Sequence, residues 1–279
     1  MMLNKFYIDD FIKDAIKEDI NYIDVAADYL IAANHTSDAY MIAKEEGILA
    51  GLDIAIRVFE LMDPSFTIKS RMSDGDHIKV GDIIMRFAGT TVSLLKSERV
   101  ALNILQSLSG TASETARCVE LVKGTKASIV DTRKTIPGMR PLQKYAVCVG
   151  GGKNHRYNLS SAAMLKDNHI DAAGSITKAI TELRKHMGFL VCIEVETRNL
   201  EEVKEALEAK ADYIMLDNMD NEMMKEAVRI NNGQAVLEAS GGITSKTLRG
   251  IAETGVDIIS IGALTHSVKA FDISMKFNK

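Results

Sequence analysis

The second half of this sequence repeats a short apolar run followed by a helical pattern, and this repeat constrains the fold more than any other feature. From about Ser128 onward, apolar runs typical of buried parallel strands end near six residues: Lys134, Lys166, Glu196, Asp217, Ser240 and Gly262. The last three intervals are 21, 23 and 22 residues, the length of one strand plus one helix. Such units form a parallel sheet. Because six strands are fewer than a complete (β/α)₈ barrel contains, we expect an irregular, incomplete TIM-like α/β barrel.

The first hundred residues carry a different pattern. Residues 5–32 have apolar positions at helical spacing, and short strand-like pieces with glycine turns follow between Thr36 and Gly89. The run LDIAIRVFELM at 52–62 predicts a helix within this region. Residues 93–122 predict longer helices that meet at Gly110, which we interpret as a hinge-like link between two domains. The first half is therefore expected to form an α+β domain.

Positive charge is concentrated in one segment, Asp131–His169. This segment holds seven Lys and Arg residues against two acids, so it is net +5 within a chain of net −4. Converging guanidinium and ammonium groups stabilise carboxylates and phosphates. The segment therefore predicts a pocket for a small, strongly anionic substrate. A pI near 5.9 argues against a nucleic-acid surface, which needs a more extended basic face.

Composition also narrows the cellular setting. The three cysteines lie in mostly apolar surroundings without CxxC spacing, which favours reduced buried thiols over disulfides or a zinc site and predicts a cytoplasmic protein. The acidic amino terminus lacks the basic start and apolar run of a signal peptide. No run approaches the roughly 20 apolar residues of a membrane span. We therefore expect no membrane partner.

Polar residues follow the predicted strand ends, where parallel strands direct side chains toward a ligand. Cations lie at two of these ends, and acids end two later strands. The first end carries Arg133 and Lys134 after Thr132, and the second carries Lys166. The acids are Glu196 and Asp217. Glu194 and Glu196 lie on one strand face by alternation. The two terminal acids could hold Mg²⁺ directly or through water. For either acid alone, a salt bridge to Lys134 or Lys166 is an equally good interpretation.

Two glycine-rich segments end the last two strands. They read EASGGIT and GALTHS, and their candidate phosphate-binding residues are Ser240, Gly241, Gly242, Gly262 and Ala263. Backbone N–H groups at such turns approach phosphates closely, and a following helix start favours negative charge. Alternatively, these glycines are needed only for the geometry of the turns. The pair of segments favours a monophosphate site, and His155 beside Arg156 in a glycine-rich loop marks a further candidate.

These motifs together resemble a known family. ERVALN, DTRKTIPGMR, GGGKNHRYNL, KDNHI, EVE, MLDN, EASGGIT and GALTHS occur in the order found in type II phosphoribosyltransferases, and they resemble the quinolinate phosphoribosyltransferases in particular. Two segments depart from the family pattern, EDINYIDVAAD and the helix-start run SGTAS. The resemblance implies an N-terminal α/β sandwich domain over 1–108, joined by 268–279, and an irregular barrel domain over 109–267.

The resemblance also implies a reaction and a set of roles. The expected reaction is phosphoribosyl transfer from phosphoribosyl pyrophosphate to quinolinate with decarboxylation, giving nicotinate mononucleotide, pyrophosphate and CO₂ in de novo NAD biosynthesis, with Mg²⁺. The implied catalytic residues are Lys134, Lys166, Glu196 and Asp217, the last two also reaching the metal through water. The implied substrate-binding residues are Arg99 from a partner subunit, Thr132, Arg133, His155, Arg156, Ser240, Gly241, Gly242, Gly262 and Ala263.

Three questions stay open at the level of sequence. The family implies a homodimer, but the residues do not separate a dimer from a hexamer. A paralogue of the same fold could act on another anionic acceptor, as molybdenum-locus relatives do. A protein of a different class, a non-catalytic sensor of a phosphorylated metabolite, fits less well because a sensor has no need of Glu196, Asp217 and two lysines together.

Overall fold

The computed structural model describes residues 3–278. They divide into two compact units. The first unit takes the described residues up to Ala116, Thr135–Gly151, and those from Leu264 onward; the second takes Arg117–Lys134 and Gly152–Ala263. Among the described helices, none combines the length and the apolar character that crossing a membrane requires.

The chain alternates helices and strands throughout. The strands are β1 (Thr36–Ala43), β2 (Gly47–Ile48), β3 (Thr67–Arg71), β4 (His77–Ile78), β5 (Ile83–Thr90), β6 (Ser128–Val130), β7 (Ala163–Leu165), β8 (Ile193–Thr197), β9 (Tyr213–Asp217), β10 (Val236–Ser240), β11 (Ile258–Ser260) and β12 (Ile273–Phe277). The helices are α1 (Lys5–Asp19), α2 (Ala27–Leu30), α3 (Leu52–Met62), α4 (Thr91–Leu121), α5 (Arg140–Val149), α6 (Asp167–Ala173), α7 (Ile176–His186), α8 (Leu200–Glu208), α9 (Asn221–Asn231), α10 (Leu248–Ala252) and α11 (Ala263–His266).

The first unit is built on an antiparallel sheet of order β12-β1-β5-β3. Alternate residues of β1 are buried, as expected for a strand with one face on a core. Helix α3 buries most of its apolar residues, and the rings of Phe59, Phe66 and Phe87 pack with centroids 5.0–5.6 Å apart. The α+β prediction is confirmed, and α3 spans the residues predicted for it.

Helix α4 is continuous, so the hinge predicted at Gly110 is wrong. A Cβ atom at Gly110 would lie 2.3 Å from the backbone oxygen of Lys269. The glycine is therefore explained by a close backbone approach from a distant part of the sequence, and it does not interrupt the helix.

The second unit is a six-stranded parallel sheet of order β6-β11-β10-β9-β8-β7. Each predicted strand end has its strand, and the first strand pairs with the last, as in an incomplete α/β barrel. Helices α7, α8 and α9 begin after Ser175, Asn199 and Asp220, whose side chains accept a backbone N–H of the first helical turn. The predicted fold class is confirmed.

Helix α5 belongs to the first unit, although it lies in sequence between two strands of the second. Its Leu142 and Ala146 are fully buried in the hydrophobic core of the first unit. The division of the chain thus differs in detail from the expected boundaries after 108 and 267, which stay predictions.

Candidate active site

The predicted acids lie at the carboxyl ends of adjacent strands. Glu196 is the fourth residue of β8 and Asp217 is the last residue of β9. The ammonium group of Lys166, directly after β7, lies 2.9 Å from Glu196 Oε2. The salt-bridge interpretation therefore holds for Glu196. Asp217 Oδ2 accepts a hydrogen bond from Asn218 Nδ2 at 2.8 Å.

Asn218 and Gly241 join the loops that follow β9 and β10. Asn218 has φ +54°, and its N–H donates to the carbonyl oxygen of Ser240 at 2.9 Å. A Cβ atom on Gly241, which has φ +96°, would lie 2.2 Å from Asn218 Oδ1. Gly241 is thus required both by its backbone conformation and by this approach. Around Gly242 no atom lies within 4 Å of an added Cβ, so its backbone faces open space.

The helix-dipole part of the phosphate prediction finds little support in these loops. Helix α10 begins only at Leu248, well after Gly242, and has five residues. Helix α11 begins at Ala263, directly after Gly262, but has four residues. Short helices carry weak macrodipoles, so any phosphate binding here depends on backbone N–H groups at the glycines.

Two arginines of the basic segment lie close to one another. Burial lowers the pKa of Arg156, and the neighbouring charge of Arg133 lowers it further. The Arg156 guanidinium donates to the carbonyl oxygen of Ala162 at 3.0 Å and lies 3.6 Å from Met164 Sδ. Arg133 Nε is buried and donates to no described group. Two neighbouring half-buried cations, one of them with an unused donor, favour an anionic ligand.

Lys134 and Thr132 flank Arg133 in the loop after β6. Thr132 Oγ1 accepts the N–H of Lys134 at 3.0 Å, and the Lys134 side chain is exposed. This local turn directs the sequence from the end of a buried strand to the surface.

The glycine-rich segment before His155 runs alongside β6. The N–H of Lys153 donates to Ile129 O at 2.8 Å, and the N–H of Asp131 donates to Lys153 O at 3.2 Å. The buried carboxylate of Asp131 accepts Asn154 Nδ2 at 2.6 Å and the N–H of His155 at 2.9 Å. The segment is thereby fixed at the edge of the parallel sheet.

The His155 ring is directed between two buried carboxylates. Its Nε2 lies 3.1 Å from Glu194 Oε2 on β8 and 3.2 Å from Glu238 Oε2 on β10. The three side chains are 14%, 6% and 1% exposed, respectively. Burial opposes the charged ring, but hydrogen bonds to Glu194 and Glu238 outweigh it and raise the pKa of His155 to about 10. Burial also raises the pKa of Glu194.

Some residues here could not be read from the sequence, and one predicted residue lies elsewhere. Glu238 and Asp131 were missed; the alternation of Glu238 with Ser240 along one strand was the available signal for the first. His169 accepts the N–H of Lys166 at its ring Nδ1, which gives it a structural role at the start of α6. Arg99 is exposed on α4 in the first unit.

Comparisons with known proteins agree with this architecture. Residues 24–109 match the N-terminal domain, and residues 111–276 the C-terminal domain, of quinolinate phosphoribosyl transferase. A probable nicotinate-nucleotide pyrophosphorylase (carboxylating) from Synechocystis is 43% identical over 272 residues, which are 96% of this chain and 92% of the relative. The protein of that description from Bacillus subtilis is 41% identical over 274 residues, covering 98% and 91%.

A solved structure is equally similar. NadC from Streptococcus pyogenes superposes with a TM-score of 0.96 at 43% identity, covering 100% of both chains. Both family domains occur in order along the sequence, and their combined span covers most of it. The chain belongs to the quinolinate phosphoribosyltransferase family.

Proposed function

We propose that this protein transfers the phosphoribosyl group of phosphoribosyl pyrophosphate to quinolinate and decarboxylates the product, giving nicotinate mononucleotide, pyrophosphate and CO₂. The names of the relatives support this reaction. The observation in the structure that supports it best is the pair Arg133 and Arg156, two neighbouring guanidinium groups of which one has a buried, unused Nε. A planar dicarboxylate supplies two anionic groups for such a pair.

The remaining site residues fit the phosphoribosyl donor. Lys134 and Lys166 are the cations available to the diphosphate, and the backbone at Gly241 and Gly242 is available to the 5′-phosphate. Gly262 and Ala263 follow the neighbouring strand β11 and extend this group. Unlike guanidinium groups, ammonium groups act as mobile point charges, which suits a leaving group whose charge grows during the reaction.

The acids fit Mg²⁺ bound with the donor. Glu196 and Asp217 present carboxylate oxygens at adjacent strand ends, the hard ligands that Mg²⁺ prefers. Because Lys166 already pairs with Glu196, contact through water is the better fit. When bound, the ion takes up charge on the departing pyrophosphate.

The chain's own residues then act mainly by position and charge. The arginine pair holds the acceptor so that its ring nitrogen faces the anomeric carbon, where the C–O bond breaks and the C–N bond forms. Lys134 and Lys166 stabilise the negative charge that develops on pyrophosphate. The positive charge of the pyridinium nitrogen stabilises the carbanion left at C2 as CO₂ departs, so no protein acid is needed for that cleavage. A proton then replaces the carboxylate at C2.

The assembly and the location follow from the family and stay proposals. A homodimer in which Arg99 reaches the acceptor carboxylates of the partner's site would explain a cation exposed on α4. A hexamer would be built from such dimers. A cytoplasmic location suits substrates that are small anionic metabolites.

The deciding experiment is release of labelled CO₂ from quinolinate that carries the label in its C2 carboxylate. Release that requires both phosphoribosyl pyrophosphate and Mg²⁺ is the expected result. Pyrophosphate release with another anionic acceptor, and none with quinolinate, would assign the paralogous activity instead. Binding of both substrates without any pyrophosphate release would favour a sensor.

The metal proposal has a separate test. Chelation of Mg²⁺ is expected to abolish turnover and to weaken binding of phosphoribosyl pyrophosphate, while quinolinate binding measured by calorimetry stays unchanged. Glu196→Gln and Asp217→Asn are expected to weaken the Mg²⁺ dependence of donor binding. Full turnover in the presence of chelator would contradict the proposal.

A further inference from the structure

The cluster formed by His155, Glu194 and Glu238 is the most unusual buried feature of the second unit. A single ring nitrogen lies within 3.2 Å of carboxylates from two strands that are separated by β9. Glu238 Oε1 is buried without a partner among the described residues. Burying two acids around one histidine costs folding free energy, so a functional role for them is the explanation to test.

The hydrogen-bond directions distinguish a cation site from a hydrogen-bonded brace. The N–H of Arg156 donates to His155 Nδ1 at 2.7 Å, so Nδ1 carries a lone pair. In a neutral ring the proton then lies on Nε2, which donates to Glu194 and Glu238. A metal ion bound by the cluster would need the lone pair of Nε2, which this tautomer lacks. The geometry therefore favours a brace.

The same argument locates the additional proton that the raised pKa of His155 implies. On Nδ1 this proton would oppose the N–H of Arg156. Glu194, whose pKa burial raises, offers the alternative position beside Glu238. The cluster then keeps one carboxylate and a neutral ring, with the same number of protons.

Both sides of the His155 backbone are fixed by these contacts. Its own N–H donates to the buried Asp131, and the next N–H, that of Arg156, donates to the ring. With both ring nitrogens engaged, His155 has no ring donor or acceptor directed to a substrate in this arrangement.

We propose that Glu194 and Glu238 are positioning residues that act through the His155 ring to fix Arg156 for an acceptor carboxylate, and that His155 itself does not bind the acceptor. The proposal rests on the proposed function for the identity of that acceptor, quinolinate. The two acids then affect the affinity for the acceptor, whereas the residues at the strand ends determine the affinity for the phosphoribosyl donor.

The first test measures the ring directly. In protein labelled with ¹⁵N-histidine, long-range ¹H–¹⁵N spectra are expected to show the His155 ring with a proton on Nε2 and a lone pair on Nδ1. Addition of chelator is expected to leave these signals unchanged. A ring protonated on Nδ1, or signals that change when metal is removed, would overturn the brace. This test does not depend on any substrate.

The second test measures ligand binding by calorimetry. Glu238→Gln is expected to weaken quinolinate binding about tenfold, since it replaces a charged hydrogen-bond acceptor of the brace by a neutral one. Donor affinity is expected to stay unchanged. Glu226→Gln, which removes an exposed acid paired with Arg229 on α9, is the matched control and is expected to change neither.

A double-variant cycle tests whether the acids act through Arg156. In an Arg156→Lys background, Glu238→Gln is expected to cause no further loss of quinolinate affinity. Fully additive losses, or an equal loss of donor affinity, would refute the proposal. If the wild-type protein bound no quinolinate, the proposed function would fail. The brace could still be tested by the ring tautomer of His155, and by whether Glu238→Gln broadens the NMR signal of the Arg156 Nε–H.

Discussion

Asp63 in the first unit and the pair Glu194 and Glu238 in the second are buried carboxylates that are satisfied in opposite ways. In the first unit Asp63, 5% exposed, accepts the N–H and hydroxyl of Ser65 and the N–H and hydroxyl of Thr90, at 2.6–2.9 Å. Burial raises its pKa, but these four donors outweigh burial and lower the pKa to about 2. In the second unit Glu194 and Glu238 share one ring nitrogen, and Glu238 Oε1 has no partner among the described residues.

The two arrangements differ in how much the buried carboxylates stabilise the fold. A carboxylate with four donors stabilises the fold that surrounds it. Two buried acids that share one donor repel each other, so each stabilises the fold less than a carboxylate with four donors. We therefore infer that Glu194, Glu238 and the unused Nε of Arg133 serve the ligand, whereas Asp131 of the same unit has two donors and serves the fold. Three predictions test this contrast and a fourth compares one glycine from each unit, in order of decreasing expected effect.

Arg133→Ala is expected to lower kcat/KM by about 10²–10³-fold, because it removes a charge that holds the acceptor. The thermal midpoint is expected to change little, since Arg133 Nε has no partner to lose. Arg198→Ala, which removes an arginine paired with Glu202 on the surface of the same unit, is the control and is expected to keep full activity. Near-normal activity of Arg133→Ala would contradict the site assignment.

Asp63→Asn is expected to destabilise the protein by about 2–3 kcal/mol, because the amide group cannot accept from all four donors. Glu238→Gln is expected to cost less than Asp63→Asn, because the amide oxygen can still accept from His155 Nε2 and one of two neighbouring buried acids is removed. Urea denaturation of both variants measures the two changes in the free energy of unfolding. Equal losses would erase the contrast between the units.

The pH dependence is expected to have opposite signs. The Asp63 pKa lies below its usual 3.8, so its contribution of about 2 kcal/mol is present above that value and lost as the pH falls toward 2. The additional proton of the His155 cluster is held above the usual histidine pKa of 6.5, so its contribution is complete below 6.5 and lost as the pH rises through about 10. Melting temperatures across pH measure both effects. The melting temperature of Asp63→Asn is expected to approach that of wild type at acid pH, and that of His155→Gln at alkaline pH. Convergence at the other extreme would reverse the signs.

Gly241→Ala is expected to destabilise the protein by about 1 kcal/mol more than Gly75→Ala. Both glycines have φ above +90°, so both variants carry backbone strain. A Cβ at Gly75 meets no atom within 4 Å, whereas one at Gly241 meets Asn218 Oδ1. The difference between the two variants, measured by thermal denaturation, isolates this contact; no difference would show that the loops adapt.

The strand–helix order of the second unit could be predicted from the sequence because its signals are local. Apolar runs, polar caps such as Asn199 and glycine turns each lie within a few residues of the element that they mark. The same local signals placed Lys166, Glu196 and Asp217 at strand ends.

The features that could not be predicted depend on distant contacts. Whether Glu238 meets His155 depends on the order and curvature of strands, which no short stretch of sequence encodes. Gly110 was interpreted as a helix interruption because its neighbour, Lys269, comes from far along the chain. Helix α5 likewise follows strand β6 in sequence but packs in the core of the first unit.

The pairing of early with late strands has a consequence for biosynthesis. Ala39 on β1 pairs with Phe277 on β12, and Ser128 on β6 pairs with Ile258 on β11. During translation, β1 and β6 therefore leave the ribosome long before their partners exist, and each keeps an open edge until the late strands are made. Such long-range pairing slows folding and exposes strands to aggregation. The nascent chain thus has two unprotected edges for most of its synthesis, which makes chaperone supply during translation a determinant of its yield.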